Sequence, residues 1–204
     1  IFIIAFVLAA GNSMAADSLS HWKFGGTSVL NFSQTSLTNW AGGGKDATNI
    51  AALLSLNSIF DDSTSRWETQ LDMGYGVTQL DNESFKKSDD KIDFTSKFGY
   101  NAAQFLKYSA RINFLTQFYR GYNYNVIDTL TGKNPIISNF LSPAYLSIGL
   151  GMNYTPAEYF SIMLSPCANR LIIVMDEDLS NRGAFGVQPG ENFKSELGAS
   201  LNIN

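Results

Sequence analysis

Several residue types are scarce in this chain of 204 residues, and each scarcity excludes a class of protein. Charged residues make up 16% of the sequence, well below the roughly 25% of soluble domains. The single cysteine, Cys167, excludes a framework of internal disulfides. The single histidine, His21, precedes the strand pattern, and a Ser-His-Asp triad could be built only around it. The net charge of −4 argues against a nucleic-acid partner.

Long apolar runs are also missing, apart from the opening stretch Ile1–Gly11. This stretch is too short for a transmembrane helix, which needs about 20 residues. Ser13 and Ala15 follow it as the small residues that a signal peptidase site requires. We therefore predict a signal peptide over residues 1–15, clipped at its start, and a flexible N-terminus over residues 16–25. A buried strand or helix is the alternative interpretation of the apolar run.

What the chain does contain is alternation of apolar and polar residues, seen best in the stretch Trp67–Gln79. Successive side chains of a strand point to opposite faces, so this stretch has one apolar and one polar face. It is long for a soluble strand, which averages about five or six residues, and suits a tilted strand across a bilayer, which needs roughly 9–11. Trp67 and Tyr75 lie toward the ends of the apolar face, where aromatic girdles of membrane barrels are found.

The same alternation recurs along the chain and predicts about nine strands separated by polar breaks. The fold class that we predict is all-β, an antiparallel up-and-down transmembrane β-barrel over residues 26–204 that is incomplete at the C-terminus. We expect a charged loop at Asp81–Asp90, a break at Pro166, and an unpaired edge at Phe193–Ile203. The acidic stretch Met175–Asp178 is interpreted as a solvated hairpin tip, with calcium binding as the weaker alternative.

The two faces of the predicted strands give two sets of candidate residues. One set is polar and carries both signs of charge, which suits the lumen of a barrel. The other set is apolar and aromatic, which suits contact with lipid. The predicted lumen-lining residues are Glu68, Asp72, Asp93, Lys97, Arg111 and Glu196; the predicted lipid-facing residues are Trp67, Leu71, Tyr75, Phe94, Phe98, Ile112, Phe114, Ile148 and Leu150.

Several short motifs resemble, in order, those of the DUF3078 family of exported Bacteroidetes-type proteins. The opening motif is Asn31–Gly43. The others are Leu71–Gly76, Asp90–Lys97, Thr116-Gln117 with Gly121-Tyr122, Phe140–Tyr145, and Leu164–Pro166 with Gly183–Val187. The resemblance runs from about Gly25 onward and implies an outer-membrane β-barrel of Gram-negative bacteria. It also implies that further strands follow Asn204, and it supplies no catalytic residues.

We therefore expect a non-enzymatic outer-membrane protein that serves as a narrow pore, a carrier or a structural barrel. Its partners are outer-membrane lipid and, if a path exists, a small polar solute or ion; no cofactor and no metal is predicted. One alternative is a soluble periplasmic, lipocalin-like barrel that binds an apolar ligand, because alternation does not say which face points inward. The second alternative is a hydrolase embedded in a barrel, which needs a serine and a histidine at one rim.

Overall fold

The computed structural model describes residues 6–7, 21–37, 44–129, 131–157 and 159–203, and almost all of its regular structure is β-strand. The predicted signal peptide lies mostly outside the described residues, as does most of the glycine-containing stretch 39–44. The elements are β1 (Phe6–Val7), β2 (Trp22–Thr35), β3 (Ala47–Asp61), β4 (Ser65–Leu80), β5 (Lys86–Ala103), β6 (Leu106–Thr116), β7 (Gly121–Tyr122), β8 (Ile136–Ser138), β9 (Ala144–Ala157), β10 (Phe160–Ile173), helix α1 (Glu177–Asn181), a 3-10 turn (Ala184–Gly186) and β11 (Phe193–Ile203).

Eight long strands and the short β1 form one antiparallel sheet, in the order β1-β2-β3-β4-β5-β6-β9-β10-β11. Each strand pairs with the next one along the chain, with one exception. β6 pairs with β9, and the intervening β7 and β8 form a separate small hairpin. The predicted all-β, antiparallel, up-and-down arrangement is therefore confirmed. In the described part of the chain β11 pairs with β10 alone, so the predicted edge at Phe193–Ile203 is confirmed as well.

The register of the strands groups side chains by face as the alternation predicts. Trp67 lies opposite Phe98, and Leu71 opposite Phe94, whereas Glu68 lies opposite Lys97. Because directly paired residues of an antiparallel sheet share a face, the apolar set stays on one side of the sheet and the charged set on the other. The same grouping continues through β6, β9, β10 and β11.

The sheet curls, with its polar face on the inside. In the strand order β3 and β11 are six neighbours apart, which would be about 29 Å in a flat sheet. Asn57 of β3 and Asn202 of β11 nevertheless line one cleft of about 500 Å³. Arg111 of β6 also donates a hydrogen bond to Asn202 at 3.4 Å. The polar face is therefore concave and the apolar face convex, although no ladder joins β2 to β11 within the described residues.

Buried apolar residues are few, and they gather at one end of the sheet. Ile172, Val174, Leu179 and Val187 form a small core there. Residues of the predicted lipid-facing set do not belong to it: Ile112, Ile148 and Leu150 are 42%, 40% and 55% exposed. The long strands therefore do not enclose an apolar core with this face. Among the described residues no helix has the length and apolar character needed to cross a membrane.

The small core lies under a cap made from two connections, β6–β9 and β10–β11. Asp176 precedes α1 and accepts a hydrogen bond from the Leu179 amide at 3.2 Å, as helix N-cap residues do. Its second carboxylate oxygen accepts from Asn139 Nδ2 at 2.8 Å, and its own amide donates to Ser142 Oγ at 2.7 Å. The acidic stretch predicted to be a hairpin tip therefore begins a helix and joins the two connections.

Three strand boundaries differ from those that we predicted from the sequence. β2 begins at Trp22 rather than at residue 26, because Trp22 and Lys23 already pair with Phe60 and Ile59. β5 begins at Lys86, so half of the predicted charged loop is strand. β10 continues past Pro166, where the register with both neighbouring strands shifts. At a bulge the ladder requires no hydrogen bond from the backbone nitrogen of proline, so the strand continues through Pro166.

Candidate functional site

The most chemically distinctive part of the molecule is the row of charged side chains across the concave face. Glu68 of β4 lies opposite Lys97 of β5, and Lys97 lies opposite Arg111 of β6. Beyond Arg111 the same row continues with Gly149, Ala168 and Gly198, all of them small. The concave face is thus charged on β4 to β6 and open above β9 to β11.

The predicted lumen residues all lie on this face, but the structure brings only some of them together. Glu68, Lys97 and Arg111 line the central cleft of about 500 Å³. Arg111 and Glu196 line an adjoining cleft of about 400 Å³ toward β11. Asp72 and Asp93 are paired opposite each other on the same face, and neither lines these two clefts.

The acidic members of the set each have a hydrogen-bonding or ion-pairing partner. Asp72 accepts from Ser55 Oγ at 2.7 Å and from Gln70 Nε2 at 2.8 Å. Asp93 accepts from Asn113 Nδ2 at 2.8 Å and pairs with Lys91 at 3.1 Å. Glu196 pairs with Lys194 at 2.8 Å, and Glu68 with Arg66. The charges of Asp93, Glu196 and Glu68 are therefore compensated by local ion pairs, whereas Asp72 is held by neutral donors.

The basic members of the set differ, because none of them forms an ion pair within 4.0 Å in the described part of the chain. Arg111 makes its one side-chain hydrogen bond to the neutral amide of Asn202. Lys97 lies within electrostatic range of Glu68 and of three further cations, Arg111, Arg66 and Lys107. The centre of the concave face is therefore electropositive, although the chain as a whole carries a net charge of −4.

Sequence reasoning missed several residues that share this face. Arg66, Lys107, Ser109 and Asn153 line a third cleft, of about 550 Å³, together with Glu68 and Lys97. Asn202 lines both the central and the adjoining cleft, and Asn113 lines the adjoining one. The signal was available for Ser109, Asn113 and Lys107, since their odd numbers place them on the face of Arg111. No sequence pattern could have brought Asn202 to Arg111, because that contact depends on the curl.

The convex face carries the nine predicted lipid-facing residues. Trp67, Tyr75 and Phe98 are exposed, and Leu71, Phe94 and Phe114 are half-buried by their neighbours on the same face. Leu71, Phe94 and Phe114 lie opposite one another on β4, β5 and β6. They are midway between Trp67 and Tyr75, whose separation is about 26 Å along the strand and about 20 Å after the tilt usual in barrels.

Aromatic side chains form a belt around one end of the convex face. Trp22, Phe60, Trp67 and Phe98 are paired side by side on β2, β3, β4 and β5. The Trp22 ring centroid lies 5.2 Å from that of Phe60 and 5.9 Å from that of Trp67. The belt continues with Tyr100 opposite Tyr108 on β5 and β6. Trp22 was missed because the strand that carries it was predicted to begin later.

At the other end of the convex face a buried ion pair holds the segment that follows β6. Lys87 Nζ lies 2.6 Å from Asp90 Oδ2, and the two side chains are only 13% and 3% exposed. Asp90 also accepts from the amides of Phe118 at 2.6 Å and Tyr119 at 3.0 Å. Lys87 donates to the Tyr119 carbonyl at 2.7 Å and to Gln117 Oε1 at 3.2 Å. The pair thereby fixes residues 117–119 against the convex face at that end of the sheet.

The chain is thus an all-β protein built on one curled antiparallel sheet with a polar concave face and an apolar convex face. Residues 32–122 match the model of a family described as a protein of unknown function, DUF3078. The resemblance predicted from the sequence is therefore confirmed over these residues, which make up less than half of the chain. The matched segment contains β3 to β6, which carry the charged row. Neither the curated proteins nor the solved structures contain a match to the chain.

Proposed function

We propose that the chain is a non-enzymatic outer-membrane β-barrel protein whose convex face contacts lipid and whose concave face lines a narrow polar lumen. The observation that carries the proposal is the exposure of large apolar and aromatic side chains along the whole convex face. Leu150, Met152 and Leu164 are 55%, 45% and 52% exposed on three neighbouring positions of the sheet. Soluble proteins rarely expose apolar patches beyond a few hundred Å².

The dimensions of the sheet fit a bilayer. Its long strands have 11 to 18 residues, which is enough for a tilted membrane strand of roughly 9–11 residues. The distance of about 20 Å between Trp67 and Tyr75 along a barrel axis is close to the apolar band of about 25 Å in outer-membrane barrels. The aromatic belt at the end that carries Trp22 and Trp67 has the position of an interfacial girdle.

The lipocalin-like alternative is disfavoured by the polarity of the concave face. A soluble barrel that holds an apolar ligand requires an apolar interior, whereas the central cleft is lined by Glu68, Lys97 and Arg111. The hydrolase alternative requires a histidine beside a serine. His21 instead packs near the Phe60 ring at 5.8 Å, at the start of β2. Export to the outer membrane rests on the signal-peptide pattern of residues 1–15.

The membrane orientation is tested by placing one charge on each face at the same depth. Phe94 and Thr95 are neighbours on β5 and point to opposite faces. An arginine on the lipid face near the midplane costs about 2–4 kcal/mol, so Phe94→Arg should reduce the folding yield in lipid vesicles sharply. Thr95→Arg on the concave face serves as the matched control and should fold nearly as well as the unaltered chain. Equal yields for the two variants would contradict the proposed orientation.

The transport role is tested by planar-bilayer recordings. A wide aqueous channel takes about 16 strands, and the described sheet has nine, of which one is very short. We therefore expect small ionic currents at most. Large, steady, porin-like conductance would contradict the narrow lumen, and a complete lack of current would favour a structural barrel over a pore or carrier.

A further inference from the structure

The charges on the concave face are not evenly balanced. Glu68, Asp93 and Glu196 each lie within ion-pairing distance of a lysine or arginine, namely Arg66, Lys91 and Lys194. Lys97, Lys107 and Arg111 form no ion pair within 4.0 Å among the residues that the structure describes. These three are named the cation cluster.

The cluster lies on two neighbouring strands and borders two clefts: Lys97 and Arg111 line the central one, and Lys97 and Lys107 line the third. Lys107, Ser109 and Arg111 occupy alternate positions of β6, so all three point to the concave side. Lys97 lies directly opposite Arg111, and Gly99 opposite Ser109. A first side-chain carbon at Gly99 would lie 3.6 Å from Lys107 Cδ. The stem of Lys107 therefore passes over Gly99, on the same strand and face as Lys97.

Two buried hydroxyl groups in these clefts have no partner. Ser109 is 6% exposed and lines the third cleft; Ser165 is 0% exposed and lines the cleft that contains Arg111. Neither Oγ has a hydrogen-bond partner among the residues that the structure describes. Leaving a buried hydroxyl unpaired is destabilising, and both hydroxyls are available to donate to a ligand in the clefts.

The arrangement is costly for folding alone. Like charges directly opposite each other in a sheet are destabilising, and Lys97 and Arg111 are such a pair. Glu68 lies opposite Lys97 on the other side, but Arg66 already holds its carboxylate. An anion between the cations would offset the repulsion and would accept hydrogen bonds from the free hydroxyls.

We propose that the cation cluster binds a small oxyanion, a carboxylate or a phosphate, with Ser109 as a donor beside Lys97 and Lys107 and Ser165 as a donor on the side of Arg111. Ammonium, guanidinium and hydroxyl groups all donate hydrogen bonds, and guanidinium matches the paired oxygens of both anions. As a step in permeation the site rests on the proposed barrel; as a binding site it depends only on the concave face. Through such a site the lumen would select anions.

The test is isothermal titration calorimetry of the complete chain, folded in detergent micelles. Inorganic phosphate is the titrant in one series and acetate in another. The variant Lys97→Met/Arg111→Gln removes two cations. A charged hydrogen bond contributes roughly 1.5–3 kcal/mol, so we expect at least about tenfold weaker binding of the preferred anion. Which of the two anions binds more tightly identifies the ligand class.

The matched control is Lys91→Met, which removes a cation of the same strand and face that already pairs with Asp93. Its anion affinity should stay within about twofold of the unaltered chain. Lys97→Arg keeps the charge and should retain binding, which separates the loss of the charge from a mere change of side chain at this position. Failure of both anions to bind, or equal affinity in the double variant, would overturn the site. Vesicle folding of Phe94→Arg tests the barrel separately, so either proposal can fail alone.

Discussion

Removal of the Asp90 carboxylate should be among the most damaging single changes in the chain. Asp90 is 3% exposed and is bound by the ammonium of Lys87 and by two backbone amides of the segment after β6. In Asp90→Asn one of the oxygens becomes an NH₂ group, which faces either an amide N–H or the ammonium. Both contacts are repulsive, and the charge of Lys87 remains in place with a side chain only 13% exposed.

Removal of one partner from a buried ion pair costs about 3–5 kcal/mol. The hydrogen bonds from the amides of Phe118 and Tyr119 are not counted in addition to this cost, because the same rearrangement weakens them and the ion pair together. We therefore expect Asp90→Asn to lower the free energy of unfolding by about 3 kcal/mol. The measurement is urea unfolding of the chain in detergent micelles, monitored by tryptophan fluorescence. The dependence of the unfolding free energy on urea concentration should be the same in the variant and the unaltered chain.

The neighbouring Asp89 provides the control. It is exposed, and it forms no ion pair in the described part of the chain, so Asp89→Asn should change the stability by less than about 0.5 kcal/mol. Lys87→Met should be as harmful as Asp90→Asn, and the double variant should cost less than the two single changes added together. A loss below about 1 kcal/mol in Asp90→Asn would refute the interpretation of this pair as a buried lock.

Two further changes test other parts of the structure. A first side-chain carbon at Gly151 would lie 1.9 Å from the Leu164 carbonyl oxygen, so Gly151→Ala should lower stability in the same unfolding assay by about 1–3 kcal/mol or more. The control is Gly198→Ala, where no described atom lies within 4 Å of the new carbon, and it should change stability little. Equal effects of the two variants would contradict the close approach of β9 to the bulge in β10. Asp62 lies in the turn between β3 and β4, and hydrogen bonds from the Ser65 and Thr64 amides lower the pKa of its carboxyl. Its contribution to stability is therefore present above its unfolded pKa and is lost as the pH falls through the lower, folded pKa. Asp62→Asn keeps an accepting oxygen and should flatten the acid limb of the stability curve measured between pH 2 and 5, a range about the usual carboxyl pKa; an unchanged limb would show that this turn does not contribute.

Much of the sheet could be predicted from alternation alone. The faces of β4, β5, β6 and β9 follow from every second residue, and the register keeps them aligned. The cap could not be predicted in the same way. Its helix spans only Glu177–Asn181, and a helix of five residues gives too few turns for a periodic pattern. Asp176 was misinterpreted because an acidic residue before a helix and one at a hairpin tip look alike in sequence.

The charged row shows a second limit of sequence reasoning. Residue types placed both signs of charge on one face, which suited a lumen held by ion pairs or lined for polar solutes. Which charges remain uncompensated depends on contacts along and across strands, such as Lys91 with Asp93 and Arg66 with Glu68. Those contacts depend on rotamers and on register, so the excess of positive charge around Arg111 became visible only with the side chains in place.

The proposed function depends most on which face of the sheet is concave, and the alternation of residues does not determine this. A sheet with the same pattern can curl either way, toward an apolar core or toward a polar lumen. Here small residues beside Arg111, namely Gly149, Ala168 and Gly198, leave space above β9 to β11 on the polar side. The apolar side is filled by large residues such as Leu146, Ile148 and Leu150. On β9 to β11 the smaller side chains therefore lie on the concave face and the larger ones on the convex face, which fits the direction of the curl in this part of the sheet.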